Sequence, residues 1–137
     1  KGYSRWATDR EFKNGLVEVN IKDEKIDAAG IALHSKKGKM WVDNGEDHYL
    51  VMGATGSGKT AIVAKPMIKL LAKHNESMIL TDPKGELYEE TAELLKAEGY
   101  NIITLNFRDP QHGNAWNPMS LPYQLYIIML LMQLYYD

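Results

Sequence analysis

The 137-residue sequence lacks cysteine entirely. This absence excludes disulfide bonds, cysteine-ligated zinc sites and thiol catalysis, and it is compatible with a reducing compartment. The sequence also lacks a secretory leader and any apolar run close to the roughly 20 residues that a membrane helix needs. We therefore expect this stretch of chain to be soluble.

The sequence also has no large excess of basic or of acidic residues. The formal net charge of −2 offers no electrostatic basis for strong binding to DNA. We interpret the basic cluster at residues 36–39 as a solvated turn, and the four histidines do not have the spacing of metal ligands. The length and the hydrophobic fraction of 45% are those of one ordinary globular domain. Because the chain begins with Lys1 and not with Met, we expect it to be a piece of a longer protein.

One segment of the sequence indicates a specific chemistry. Residues 53–60 fit the pattern G-x-x-x-x-G-K-[ST] of the phosphate-binding loop, or P-loop, also called Walker A. The segment consists of Gly53, Ala54, Thr55, Gly56, Ser57, Gly58, Lys59 and Thr60. The apolar run at 48–52 before it is typical of a buried parallel strand, and the spacing after it predicts a helix over 58–74 with a kink at Pro66. The structural alternative is a glycine-rich turn that only caps this helix.

This loop predicts a binding site for ATP and Mg²⁺. Glycine allows the backbone to adopt positive φ and to approach an anion closely. The first N–H groups of the following helix, together with the helix dipole, favour negative charge at the same place. We predict that Lys59 contacts the β- and γ-phosphates and so contributes to both nucleotide binding and catalysis. The Thr60 hydroxyl is predicted to bind the metal.

The remaining pattern predicts an α/β fold in which a small N-terminal β layer precedes a parallel sheet. An irregular arm with a short helical turn is expected over 1–15, anchored by Trp6 and Phe12. Strands are expected at 16–21, 30–34, 39–42, 77–81 and 101–106, a four-residue loop at 35–38, and a helix at 86–98 with Gly99 at its C′ position. The predicted regions are the β-rich arm at 1–47, the nucleotide-binding core at 48–123 and an apolar tail at 124–137.

Two aspartates that follow predicted strands are candidate catalytic or metal-binding acids. Asp82 has the position of a Walker B aspartate, which holds Mg²⁺ through its water shell. Because Pro83 follows directly, the same carboxylate is also typical of a turn that caps the helix beginning near Glu86. Asp109 has the same ambiguity, and Arg108 is expected either to pair with it or to contact a phosphate. If the chain hydrolyses ATP, these two aspartates and Glu86 are the candidate catalytic acids.

Four segments in a fixed order resemble one family. They are the P-loop at 53–60, Thr-Asp-Pro-Lys-Gly-Glu-Leu-Tyr at 81–88, Leu-Asn-Phe-Arg-Asp-Pro at 105–110 and Trp-Asn-Pro at 116–118. Together they are similar to the type IV coupling proteins, the TraG-like ATPases of conjugative DNA transfer and type IV secretion. Tyr-Ser-Arg-Trp-Ala-Thr at 3–8 also resembles the short motif that follows the membrane helices of that family.

The resemblance implies a function for the parent protein. It would be a hexameric RecA-like P-loop NTPase at the cytoplasmic face of a bacterial membrane, where it links a DNA–relaxase complex to a secretion channel and drives transfer of DNA or protein. It further implies that the Walker B segment and an inserted helical domain lie beyond Asp137, which weakens the Walker B interpretation of Asp82. This piece alone is expected to bind ATP, to hydrolyse it barely, and not to bind DNA strongly.

Two other functions remain open from the sequence. A small-molecule P-loop kinase would need a lid that carries arginines, and the sequence contains no lid-like arginine pair. The second alternative is a non-catalytic module that binds nucleotide as a switch or as a link between subunits.

The end of the chain does not fit the family pattern. Residues 125–136 are apolar on every side of a helix, yet they are too few to span a membrane. They are either a buried strand or helix, or not the native continuation of the sequence from about residue 127. Trp116, shortly before this tail, is expected to fill the core or to stack on a nucleotide base.

Overall fold

The computed structural model describes residues 4–115 and the backbone of residues 127–132. The chain forms two compact units, Lys1–His74 and Asn75–Asp137. The boundaries predicted after residues 47 and 123 were drawn from sequence pattern and stay predictions. Trp116 and the Trp-Asn-Pro motif lie outside the described residues.

The first unit contains a three-stranded antiparallel sheet in the order β1-β3-β2. Its strands are β1 (Val17–Asn20), β2 (Ile31–Lys36) and β3 (Lys39–Asp43). Lys37 and Gly38 form the turn between β2 and β3, and both have positive φ, 52° and 80°, as a type I′ hairpin turn requires. The predicted four-residue loop is therefore wrong, because Ser35 and Lys36 continue β2 and pair with β3.

The helix that follows the P-loop begins with a π-helical turn. This turn spans Thr60–Ala64, and α2 (Lys65–Lys73) continues directly from it. The Lys65 N–H donates to the Thr60 carbonyl, five residues earlier. Pro66 has no N–H to offer to the Ile62 carbonyl, and its ring would clash with that group in a regular α-helix. The helix thus contains a wider turn immediately before the proline, and the kink predicted at Pro66 stays a prediction.

The core of the first unit joins α2 to the sheet. Its buried members include Val19 on β1, Val42 on β3 and Leu70 on α2, together with Ile26 and Ala28 from the loop before β2. Burial of such side chains contributes roughly 1.5–3 kcal/mol each for the larger ones. This packing fixes the helix that carries the P-loop at its N-terminal end.

A short helix, α1 (Asp9–Lys13), follows the N-terminal arm. Thr8 and Glu11 form a capping box, in which each side chain accepts a hydrogen bond from the other residue's backbone N–H. Arg5 donates two hydrogen bonds to the Glu11 carboxylate, at 2.8 and 2.6 Å. Phe12 meets the His34 ring edge-on, with centroids 6.3 Å apart. Trp6 is 96% exposed, so its predicted anchoring role is wrong: among the described residues nothing covers the extended arm that carries it.

The segment before the P-loop differs from its predicted structure. Residues 48–52 form no strand within the described part of the chain, and Leu50 and Met52 are 84% and 83% exposed. A buried parallel strand needs a hydrogen-bonded neighbour on each side and cover on each face. No described strand pairs with these residues, so the predicted buried strand is wrong here.

The second unit contains a parallel sheet in the order β4-β6-β5. Its elements are β4 (Met78–Thr81), α3 (Glu86–Ala97), β5 (Asn101–Asn106) and β6 (Ile127–Met132). The first three have the predicted bounds to within a residue, although Ile79 on β4 has an exposed side chain. Residues 127–132 of the apolar tail form a strand and not a helix. Membership of the RecA-like P-loop fold stays a prediction, because the P-loop segment itself is not part of this sheet.

The end of α3 confirms the position predicted for Gly99. This glycine has φ +87°, and its N–H donates to the Lys96 carbonyl while the Tyr100 N–H donates to the Leu95 carbonyl, both at 3.0 Å. These are the two hydrogen bonds of a Schellman motif. The chain is thereby turned so that Tyr100 is buried and its hydroxyl reaches the Glu76 carbonyl at 2.9 Å.

Candidate nucleotide-binding site

The P-loop has the backbone conformation that its glycines permit. Gly56 and Gly58 have φ of +80° and +82°, values that other residues adopt only with strain. A Cβ atom at Gly53 would lie 2.5 Å from the Ser57 hydroxyl oxygen, so a side chain at this position would require the Ser57 hydroxyl to move. The Ser57 N–H donates to the Ala54 carbonyl at 3.1 Å, which closes the first turn of the loop.

The Lys59 side chain folds back over its own loop. Its ammonium donates to the Gly53 carbonyl at 2.5 Å and to the Ala54 carbonyl at 2.9 Å. Both acceptors are neutral carbonyls, whereas a phosphate oxygen carries negative charge and adds Coulomb attraction to its hydrogen bond with the ammonium. A phosphate at the loop would therefore compete well for this ammonium.

The start of the helix supplies further donors. No side chain caps the helix at Lys59, and the first N–H groups of any helix have no acceptor within it. The helix dipole places roughly half a positive charge at the same end. Thr60, the first residue of the π-helical turn, carries its hydroxyl here. This set of donors fits a phosphate group, and the hydroxyl is an oxygen ligand of the kind Mg²⁺ accepts.

A cleft of about 490 Å³ opens beside the loop. Its apolar lining comes from three parts of the first unit: β2, the segment before the P-loop, and the helix after it. The lining residues are Ile31, Asp47, His48, Tyr49, Val51, Lys59, Thr60, Val63, Ala64 and Met67. Because Lys59 and Thr60 belong to both the loop and the cleft, the two form one continuous site.

A hydrogen bond between Tyr49 and Asp43 ties the segment before the P-loop to the end of β3. It raises the pKa of the Tyr49 phenol to about 12 and lowers the pKa of Asp43. The Gly45 N–H donates to the same carboxylate at 3.0 Å. This pair could not be predicted from the sequence, because neither residue stands in a motif that would have indicated it.

The candidate acids belong to the second unit. Asp82 is 3% exposed, and its carboxylate accepts a hydrogen bond from the Tyr88 N–H at 2.9 Å. This is the capping contact that the turn interpretation predicted, since Tyr88 lies in the first turn of α3. Glu86 is exposed, and its carboxylate lies 3.8 Å from the Lys84 ammonium. Neither contact tests a catalytic role, so those roles stay predictions.

The turn after β5 is organised by one asparagine. The Asn106 side-chain oxygen accepts from the N–H groups of Arg108 and Asp109, at 3.1 and 3.0 Å. The Asp109 carboxylate contacts the His112 ring at 2.6 Å. The partner of Asp109 is thus the histidine three residues later, and the predicted pairing with Arg108 is not formed.

These features define a protein with a P-loop and a ligand-sized cleft beside it. The model of the family described as type IV secretory system conjugative DNA transfer matches residues 5–121. The chain therefore belongs to this family, and its resemblance to TraG-like conjugative transfer proteins is confirmed. Comparison with curated proteins and with solved structures finds no match. Across the residues that the structure describes, no helix combines the length and apolarity needed to cross a membrane.

Proposed function

We propose that this chain is the ATP-binding part of a coupling ATPase of type IV secretion and conjugation. Its involvement in conjugative DNA transfer follows from the family, and ATP binding is the step we add. The observation that carries it is the conformation of the P-loop. Gly56 and Gly58 hold the loop at positive φ directly before an uncapped helix that begins with Lys59 and Thr60.

Each of these two residues has a distinct task in the proposal. Lys59 exchanges the carbonyls of Gly53 and Ala54 for the β- and γ-phosphates of ATP, which are its stronger partners. Thr60 offers its hydroxyl to Mg²⁺. The metal, when bound, neutralises charge on the phosphates. The P-loop thus holds the reactive end of the nucleotide.

The wider role of the parent protein is proposed from the family alone. A hexamer at the cytoplasmic face of a bacterial membrane, with a DNA–relaxase complex and a secretion channel as partners, would use the nucleotide to drive transfer. A RecA-like fold is part of the same proposal, and the three parallel strands of the second unit support it.

Calorimetric titration with ATP·Mg²⁺ tests the proposal. A hydrogen bond to a charged group contributes about 1.5–3 kcal/mol, so Lys59→Ala should weaken binding roughly 10- to 200-fold. Lys69→Ala is the matched control, because Lys69 is an exposed lysine on α2 outside the loop. Equal affinities for wild type and Lys59→Ala, or no binding by the wild type, would reject the proposed site.

A further inference from the structure

The cleft beside the P-loop is continuous with the proposed phosphate site. Lys59 and Thr60 are among its lining residues, so a ligand whose phosphates lie on the loop has its remaining atoms at the cleft or in solvent. The volume of about 490 Å³ is within the range of small-molecule sites, about 300–1,000 Å³. The position and size both suit the rest of a nucleotide.

The chemistry of the lining also suits a nucleoside. Most of the lining consists of the Tyr49 ring and five apolar side chains. These five belong to Ile31, Val51, Val63, Ala64 and Met67. Apolar and aromatic surfaces of this kind stack against the flat face of a base and do not distinguish one base from another. Asp47 and His48 are the polar lining residues outside the P-loop. A carboxylate there can accept hydrogen bonds from ribose hydroxyls.

We propose that the ribose and base of the bound nucleotide lie in this cleft, with the base against the apolar lining formed by Tyr49, Val63 and Met67. The inference rests on the proposed function, because it requires phosphates on the P-loop. It adds that affinity for ATP comes from two separate surfaces, one for the phosphates and one for the nucleoside. It also gives Asp47, His48, Tyr49 and Val51 a binding role that no motif assigns to them.

A pair of identical substitutions on one helix separates the two surfaces. Ala64 lines the cleft and Ala61 is exposed outside it, so Ala64→Leu fills the cleft while Ala61→Leu does not. Leucine is a good helix former, and both variants should fold. Each protein is titrated with ATP·Mg²⁺ and with tripolyphosphate·Mg²⁺, which carries the phosphates without a nucleoside.

The wild type should bind ATP more tightly than tripolyphosphate. Ala64→Leu should lower the affinity for ATP by roughly tenfold or more and leave that for tripolyphosphate unchanged, whereas Ala61→Leu should change neither. Met67→Ala, which removes part of the lining, should give the same selective loss. These results together would support a nucleoside in the cleft.

Other outcomes of these titrations would overturn either the proposed function or the proposed nucleoside site. If neither ligand binds the wild type, the proposed function fails and the cleft has no nucleotide to hold. If ATP and tripolyphosphate bind the wild type equally, or if neither cleft variant changes the ratio of the two affinities, the nucleoside lies elsewhere and the inference is overturned. If Ala64→Leu lowers the affinities for ATP and tripolyphosphate equally, the substitution has distorted the P-loop. The result for Met67→Ala then decides whether the nucleoside lies in the cleft.

Discussion

The phenol of Tyr49 hydrogen-bonds the carboxylate of Asp43, and this bond links the chain leading into the P-loop to the end of β3. The bond favours the neutral phenol beside the negative carboxylate, which is why the pKa of Tyr49 is raised to about 12. In the unfolded chain the phenol ionises near pH 10, its ordinary value. The stabilisation is therefore complete below about pH 10 and is lost as the pH rises to about 12.

Tyr49→Phe should abolish this alkaline transition. The difference between the wild-type and Tyr49→Phe absorbance titrations isolates the ionisation of one phenol, and its midpoint should lie near pH 12. Asp43→Asn removes the negative charge but keeps an acceptor, so in that variant the midpoint should move toward pH 10. A wild-type midpoint already near 10 would show that the bond does not form in solution.

An acidic transition is expected at the other end of the first unit. The guanidinium of Arg5, with the backbone and hydroxyl of Thr8, lowers the pKa of Glu11 to about 2 from its ordinary 4.5. A depressed carboxyl pKa stabilises the fold above about pH 4.5, and this contribution is lost as the pH falls to about 2. Helix α1 in the wild type should therefore persist to low pH, as followed by amide chemical shifts of residues 8–13.

Glu11→Gln is the variant for this transition. It should fray α1 already at neutral pH, because it removes the ion pair with Arg5. Asp9→Asn, which removes a charge from the same helical turn but no member of the capping box, should leave α1 formed. Loss of α1 in both variants alike would mean that overall charge, and not the pairing with Arg5, holds the helix.

Two glycines with similar backbone angles should respond differently to alanine. Gly58 and Gly99 have φ of +82° and +87°, and alanine in this region costs about 1–2 kcal/mol. A Cβ at Gly58 would also lie 3.1 Å from the Ile62 side chain, whereas none of the described atoms lies within 4 Å of a Cβ at Gly99. We expect both variants to lose stability in denaturant titrations, and Gly58→Ala alone to lose affinity for ATP·Mg²⁺. Equal loss of affinity in both would trace the effect to stability.

Substitutions at Asp82 distinguish a capping residue from a metal-binding one. Asp82→Ala removes the acceptor of the Tyr88 N–H and should cost about 0.5–2 kcal/mol of stability, as the loss of a helix cap does. Asp82→Asn keeps an acceptor and should restore most of that stability. If Asp82 only caps α3, both variants bind ATP with the same Mg²⁺ dependence as the wild type. A weaker Mg²⁺ dependence in Asp82→Asn would instead support the Walker B interpretation.

Binding should occur without appreciable turnover. Hydrolysis needs a positioned water and commonly an arginine from elsewhere, which can contribute about 10³–10⁵ in rate. In the proposed site, Lys59 and Thr60 would provide only the phosphate and metal contacts. A phosphate-release assay at saturating ATP·Mg²⁺ should give a rate barely above background, with or without single-stranded DNA. Robust turnover that Lys59→Ala abolishes would contradict this and would make Asp82, Glu86 or Asp109 a catalytic acid.

The sequence predicted best those elements whose ends carry their own signals. Helix α3 lies between Asp82 and Gly99, and these two residues form the hydrogen bonds at its ends that their residue types favour. The strands of the first sheet were likewise recognisable from β-branched residues and a glycine-containing turn. In these cases the information lies within a few residues of the structure that it specifies.

Features that depend on distant partners could not be predicted in this way. The apolar run at 48–52 matches a buried strand, but burial is decided by neighbouring strands that the run itself does not encode. Lys37 has a positive φ, a backbone conformation that lysine rarely adopts. The two-residue turn that it forms with Gly38 allows the hairpin strands to be longer than predicted. The cleft combines Ile31 with residues of the P-loop helix, and the Tyr49–Asp43 bond crosses a turn. Only the folded chain places these groups together.

The segment before the P-loop presents some side chains to the cleft and others to solvent. Tyr49 and Val51 line the cleft, while Leu50 and Met52 between and beyond them face solvent. Any association that covers the outer pair and shifts the segment also shifts the lining of the cleft. Binding equilibria that share a structural element are reciprocal: by whatever factor such an association changes the affinity for nucleotide, nucleotide changes the strength of the association by the same factor.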